Sequence, residues 1–170
     1  MRITRTEYLN KLIAFKDKQL IKVVTGIRRC GKSVLMEMDQ DWLLQNGVEQ
    51  DQIIAINFED MDFEELTDYR KLYAYLKDRL VPEKMTYIFL DEIQHVTDFP
   101  KVIDSLYIKK NVDIYVTGSN AYMLSSEIAT LISGRYVQIE MLPLSFKEYM
   151  QSTGSMEDRG IKYTEYLENS

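Results

Sequence analysis

Short apolar runs alternate along the chain with longer stretches whose apolar residues recur at helical spacing. Tyr8, Leu9, Leu12 and Ile13 fall on one face of a helix predicted over 5–15. A Lys-Asp-Lys turn at 16–18 leads into a first strand, Leu20 to Thr25, which Gly26 ends. A helix follows from Lys32 to about Gly47, where a glycine can take the left-handed conformation that stops helices. The second strand is predicted at Ile53 to Phe58. Acidic residues 59–65 then open a helical region, continuous or broken, that runs to Leu80 ahead of Pro82. The third strand, Tyr87 to Leu90, carries Asp91 and Glu92 at its carboxyl end. A helix over Pro100 to Lys110 precedes the fourth strand, Val112 to Thr117. Another helix, Ala121 to Ile132, ends at Gly134, and the fifth strand, Tyr136 to Met141, is closed by Pro143. Strands alternating with helices in this way predict an α/β domain with a mostly parallel sheet. From Gln151 the chain is polar and reads as a linker, yet Ile161 to Leu167 resemble the start of a further helix. Residues 1–150 are therefore expected to form one domain. Residues 151–170 would be a linker and the beginning of a carboxy-terminal region cut short.

Composition narrows the setting. A chain of 170 residues is the length of one domain, and 45% hydrophobic with 28% charged residues is ordinary for a soluble globular protein. Cys30 is the single cysteine, so no internal disulfide can form and nothing points to secretion. The amino terminus, MRITRTEYLNKLIAF, mixes charges into its apolar residues and contains no signal-peptide core. No apolar run approaches the roughly 18 residues a membrane span requires. A cytoplasmic protein with no membrane partner is expected. The net charge of −6 argues against extended nucleic-acid contact, which favours a basic face, while leaving room for a local basic patch.

The strongest chemical signal is G-I-R-R-C-G-K-S at Gly26 to Ser33, which matches G-x-x-x-x-G-K-[ST] at every fixed position. It lies between an apolar strand and a helix, the context this phosphate-binding motif demands. Fewer than roughly one random chain of this length in a hundred would contain it, given about 7% glycine usage. A triphosphate needs many donors at close range. Glycines let the backbone wrap with its N–H groups inward, forming an anion nest at a helix amino terminus. The loop from Gly26 through Ile27, Arg28, Arg29, Cys30 and Gly31 to Lys32, Ser33 and Val34 would form that nest. Lys32 would reach the β- and γ-phosphates, and the Ser33 hydroxyl would ligate Mg²⁺. Arg28 and Arg29 read either as phosphate or partner contacts or as solvated loop charges, and Cys30 as a small filler or a redox-sensitive thiol.

Y-I-F-L-D-E at Tyr87 to Glu92 supplies the complementary half. In open α/β sheets ligands bind at the carboxyl ends of the strands, where this strand delivers two carboxylates. Asp91 would hold Mg²⁺ through its hydration shell, and Glu92 would orient the attacking water or accept its proton. An isolated D-E pair is a common helix cap; paired with the upstream loop it points to hydrolysis. A Glu beside the Asp favours water over a metabolite as acceptor. His95, the one histidine, makes no metal site by itself, and the twelve tyrosines read as packing.

Taken together, these motifs resemble the AAA-type branch of P-loop ATPases. More narrowly, the chain resembles a prokaryotic AAA-like family that carries an uncharacterised carboxy-terminal domain. The resemblance rests on I-K-V-V-T-G-I-R-R-C-G-K-S, Y-I-F-L-D-E-I-Q, I-Y-V-T-G-S-N and the run through L-I-S-G-R-Y and M-L-P-L-S-F-K-E-Y, and covers about residues 1–150. It implies a P-loop NTPase three-layer α/β/α sandwich with a five-stranded parallel sheet in the order 5-1-4-3-2. It also implies that T-G-S-N ends its strand near Asp91, so that Thr117, Ser119 or Asn120 could sense the γ-phosphate. Simple turn chemistry explains Gly-Ser-Asn equally well. Arg135 sits where such proteins place an arginine that reaches a neighbouring subunit's ATP, which implies a homo-oligomer. The other reading of Arg135 is a cation at the carboxyl end of a helix.

The leading expectation is thus Mg²⁺-dependent ATP binding and hydrolysis, coupled to an unidentified protein or nucleic-acid target. A nucleotide-gated binding switch with slow hydrolysis is the alternative. A small-molecule kinase or a nucleic-acid motor fits less well.

Overall fold

The computed structural model describes residues 5–118, 134–143, 145 and 148. Five strands form one parallel sheet: β1 (Ile21–Gly26), β2 (Ile53–Asn57), β3 (Thr86–Asp91), β4 (Val112–Gly118) and β5 (Tyr136–Met141). Their order is β2-β3-β4-β1-β5, the arrangement that the resemblance implied. The helices are α1 (Thr6–Ala14), α2 (Lys32–Gln45), α3 (Tyr69–Lys77) and α4 (Phe99–Tyr107).

Strand alternation divides the core into two layers. Ile21 and Val23 of β1, with Ile88 and Leu90 of β3, face Leu72 and Leu76 of α3 and Val102, Ile103 and Leu106 of α4. Val24 of β1 and Phe89 of β3 point the other way, onto Tyr8 and Leu12 of α1 and Leu35, Met36 and Leu43 of α2. Phe89 and Tyr115 stack on that face with centroids 4.5 Å apart. The result is three layers, helices on both sides of the sheet. Central strands β1, β3 and β4 are nearly continuous runs of buried residues, as a sheet covered on both faces requires. The edge strand β2 alternates buried Ile54 and Ile56 with exposed Ala55 and Asn57.

Of the two readings left open after β2, the broken one holds. The region after β2 is a 3-10 segment, Met61–Thr67, followed by α3 rather than one helix. Asp68 divides them: its carboxylate accepts hydrogen bonds from the Arg70 and Lys71 amides and so starts α3 afresh. The helix expected over 121–132 lies outside the described residues, as does the segment 151–170. Among the described residues, no helix is long and apolar enough to cross a membrane.

A charged cluster lies inside the α1/α2 layer, away from the strands' carboxyl ends. Lys22 of β1 is fully buried and pairs with Asp113 of β4, which also accepts from the Tyr115 hydroxyl at 3.1 Å. Burial pulls the Lys22 ammonium down and pushes the Asp113 carboxyl up, each against the attraction of its partner. Asp39 of α2 is buried beside them with one carboxylate oxygen unpartnered, and burial pushes it up to about 7.

Candidate functional site

Because all five strands are parallel, β1, β3 and β4 bring their carboxyl ends to one edge of the sheet, and the motif residues meet there. Gly26 ends β1 opposite Met141 of β5. A Cβ at Gly26 would stand 2.5 Å from the Met141 carbonyl oxygen and 2.7 Å from Cys30 Sγ, so only glycine fits. The loop then turns through Arg29 (φ 66°) and Gly31 (φ 95°) into α2. Gly31 precedes the first helical residue, where the amide groups of a new helix lack internal partners.

Lys32 is almost fully buried, at 4% exposure. Its ammonium donates to the Gly26 and Ile27 carbonyls, both at 3.2 Å, and lies 3.6 Å from Glu92 Oε1. A buried lysine held by its own loop is a preorganised cation. Ser33 follows it at half-burial on the first turn of α2, while Arg28 and Arg29 are exposed. Arg28 approaches Glu59 at 3.6 Å with both side chains in solvent, a weak surface pair. Cys30 is buried beneath the loop, as a filler would be. Ile27 and Val34 are exposed apolar residues on its flank.

The acidic pair is positioned from β4. The register aligns Leu90 with Val116, which sets Asp91 beside Thr117. The Thr117 hydroxyl donates to Asp91 Oδ1 and accepts from the Glu92 amide at 3.0 Å. One buried hydroxyl therefore fixes both acidic residues. Glu92 itself adopts a left-handed conformation (φ 55°), which turns the chain off the strand. Its Oε2 accepts from Gln94 Nε2 at 2.5 Å. Thr117→Val keeps the shape but strips this hydroxyl and leaves the Glu92 amide without its partner. A stability loss of about 1–3 kcal/mol is expected, read by chemical denaturation.

Thr117 thus stands behind the acidic pair, with its hydroxyl engaged by both members. Ser119 and Asn120 lie outside the described residues. Arg135 is exposed at the amino end of β5, where its carbonyl accepts from the Ile21 amide and its guanidinium lies 5.3 Å from the Tyr107 ring centroid. A strand length, about 20 Å at 3.3 Å per residue, separates that end from the phosphate-binding loop. Arg135 does not join the loop and the acidic pair within this chain.

Three residues enter the site's surroundings that motif reading did not select. Gln94 holds Glu92, and its place in D-E-I-Q was the available signal. Arg5 and Tyr8 grip the chain beside the loop, and no local pattern marks them.

The family model for the AAA domain matches residues 18–150, and the chain belongs to that family. An uncharacterised protein of Haemophilus influenzae is 42% identical over 151 residues, covering 88% of this chain and 38% of its own length. Another, from Methanocaldococcus jannaschii, is 35% identical over 136 residues, covering 77% of this chain and 28% of its own. The chain thus spans well under half the length of these relatives. Among solved structures, the Walker-type ATPase of Pyrococcus abyssi superposes with a TM-score of 0.58 at 17% identity, over 88% of this chain and 56% of that one. The fold is that of a P-loop AAA-type ATPase, and membership of the family makes nucleotide binding its general property.

Proposed function

We propose that the chain binds ATP with Mg²⁺ at the Gly26–Val34 loop and hydrolyses its β–γ phosphoanhydride bond, with residues 1–150 as the ATP-binding unit. The observation that carries this reading is the convergence of Lys32, Glu92 and Asp91 at one sheet edge, with Lys32 and Glu92 separated by 3.6 Å. Loop amides and the Lys32 ammonium would surround the β- and γ-phosphates, exchanging loop carbonyls for phosphate oxygens. The Ser33 hydroxyl and the Asp91 carboxylate, hard oxygen donors suited to Mg²⁺, would hold the ion. When bound, Mg²⁺ neutralises charge on the phosphate oxygens. Glu92 orients a water whose oxygen attacks the γ-phosphorus and takes up the proton released. The bridging oxygen leaves with its electron pair on ADP.

Arg135 can serve only another subunit's site, as the far sheet edge keeps it from its own. A homo-oligomer with Arg135 acting in trans is part of the proposal, and the target that turnover serves is a protein or nucleic acid outside this chain. Phosphate release tests the reading. It should require Mg²⁺, stop with a chelator in excess, and rise per molecule as protein concentration rises. Release indifferent to Mg²⁺ would contradict it. A nucleotide-gated switch is the second reading, favoured by the Gln94 hydrogen bond that engages the Glu92 carboxylate. Tight ATP retention with little phosphate release would select it.

A further inference from the structure

Arg5 is nine-tenths buried although it precedes the first helix, and its guanidinium joins three parts of the chain. Nη1 donates to the carbonyl of Cys30 in the phosphate-binding loop at 3.1 Å and to the Leu142 carbonyl, just beyond β5, at 2.7 Å. Nε donates to Glu148 Oε1 at 3.0 Å, and the group lies 4.5 Å from the Tyr8 ring centroid. Tyr8 completes the clasp, its hydroxyl accepting from the Leu142 amide at 3.3 Å. Both backbone groups of Leu142 are thus held by α1 and the residue before it.

Glu148 is more than a counter-ion. Its Oε2 accepts from the Ser145 amide at 2.8 Å, and the Ser145 hydroxyl accepts from the Glu148 amide at 3.3 Å. This reciprocal pattern is a capping box of the S-x-x-E type. The guanidinium therefore bonds the loop that would cradle phosphate and, at its other side, the Glu148 carboxylate that Ser145 also engages. A planar guanidinium with five donors can serve two carbonyls and a carboxylate at once, which an ammonium cannot do with the same geometry.

We propose that Arg5 is a positioning residue that sets the conformation of the phosphate-binding loop and couples its nucleotide state to the segment running from Leu142 to Glu148. The proposal rests on the nucleotide reading of the loop. Phosphate contact with the loop amides reorients the Cys30 peptide, and Arg5 carries that change to the capping turn. The Lys32 exchange described above acts on the same loop, so the two changes coincide.

The test uses Arg5→Gln and Arg5→Lys, with Lys32→Ala as the control for the nucleotide site. A fluorescent ATP analogue is titrated in Mg²⁺, and amide hydrogen exchange is followed with and without ATP. Arg5→Gln should weaken binding about tenfold, with circular dichroism retained, since it removes the charge-assisted bond to the Cys30 carbonyl of the loop. Arg5→Lys should recover part of the affinity. In the wild type, ATP should slow exchange in residues 142–148; in Arg5→Gln at saturating ATP that response should vanish, while residues 26–34 still respond. Should Arg5→Gln fail to fold, Glu148→Gln reads the same loss of response with the Cys30 bond intact. A persistent 142–148 response in the variant overturns the coupling. Failure of the nucleotide reading looks different: the wild type and Lys32→Ala would then bind the analogue alike.

Discussion

Glu92→Gln should lower ATP turnover by about 10²–10⁴-fold, the usual range for losing a general base, while ATP binding stays close to that of the wild type. The amide keeps the size and left-handed backbone of Glu92, and its carbonyl oxygen can still accept from Gln94. What it lacks is the capacity to take a proton from water. The variant also cancels the negative charge 3.6 Å from the Lys32 ammonium. A carboxylate at that distance competes with phosphate for the lysine, so removing it cannot weaken binding through Lys32. Single-turnover phosphate release together with equilibrium binding separates the effects. Unchanged turnover would remove Glu92 from the chemistry and leave it a structural role beside Thr117, Gln94 and Lys32.

Lys32→Ala should act at the earlier step. Its ammonium is buried among the Gly26 and Ile27 carbonyls and Glu92, so the charge is already desolvated and aimed within the loop. Charge-assisted hydrogen bonds of this kind contribute about 1.5–3 kcal/mol, which corresponds to roughly a 10- to 150-fold loss of ATP affinity. A second consequence is local. Without the ammonium, the two carbonyls lose their donor and Glu92 loses its partner cation, so the empty loop is less ordered as well. Arg, which is larger and planar, should not rescue, because the buried space is shaped for a single point donor.

The centre of the sheet is legible because its strands are buried on both faces and read as runs rich in apolar residues. Tyr87 to Leu90 is the clearest of these, with every residue buried, whereas the edge strand Tyr136–Met141 alternates exposed Gln138 and Glu140 with buried Ile139 and Met141. The phosphate-binding loop is legible for a different reason: its glycines are set by backbone demands within eight residues, so the constraint is local in sequence. Gly31, at φ 95° just before α2, is the clearest example, whereas Gly26 is also pressed by the Met141 carbonyl from far along the chain.

Other features were hidden because their cause is not local. The break at Asp68 depends on a side chain capping the next helix, and an acidic stretch with helical spacing does not reveal which carboxylate will do so. Thr117 appeared among the residues weighed for γ-phosphate sensing; its bond to Asp91 and the Glu92 amide follows from the β3–β4 register, which links residues 25 and 26 positions apart. Arg5 is harder still. Its partners lie 25, 137 and 143 residues away, and an arginine near an amino terminus reads as a surface charge until the fold closes around it. Arg135 shows the converse: its motif position was plain, but its exposed side chain lies at the far edge of the sheet, beside Tyr107 and away from the phosphate-binding loop.

Calorimetric titration of the chain and of Lys32→Ala with ATP in the presence of Mg²⁺ tests the nucleotide site most directly. The predicted result is one ATP per wild-type chain, with affinity reduced at least about tenfold in the variant. Equal affinity in the two proteins, or no heat of binding from the wild type at millimolar ATP, would contradict the assignment of the Gly26–Val34 loop as the nucleotide site.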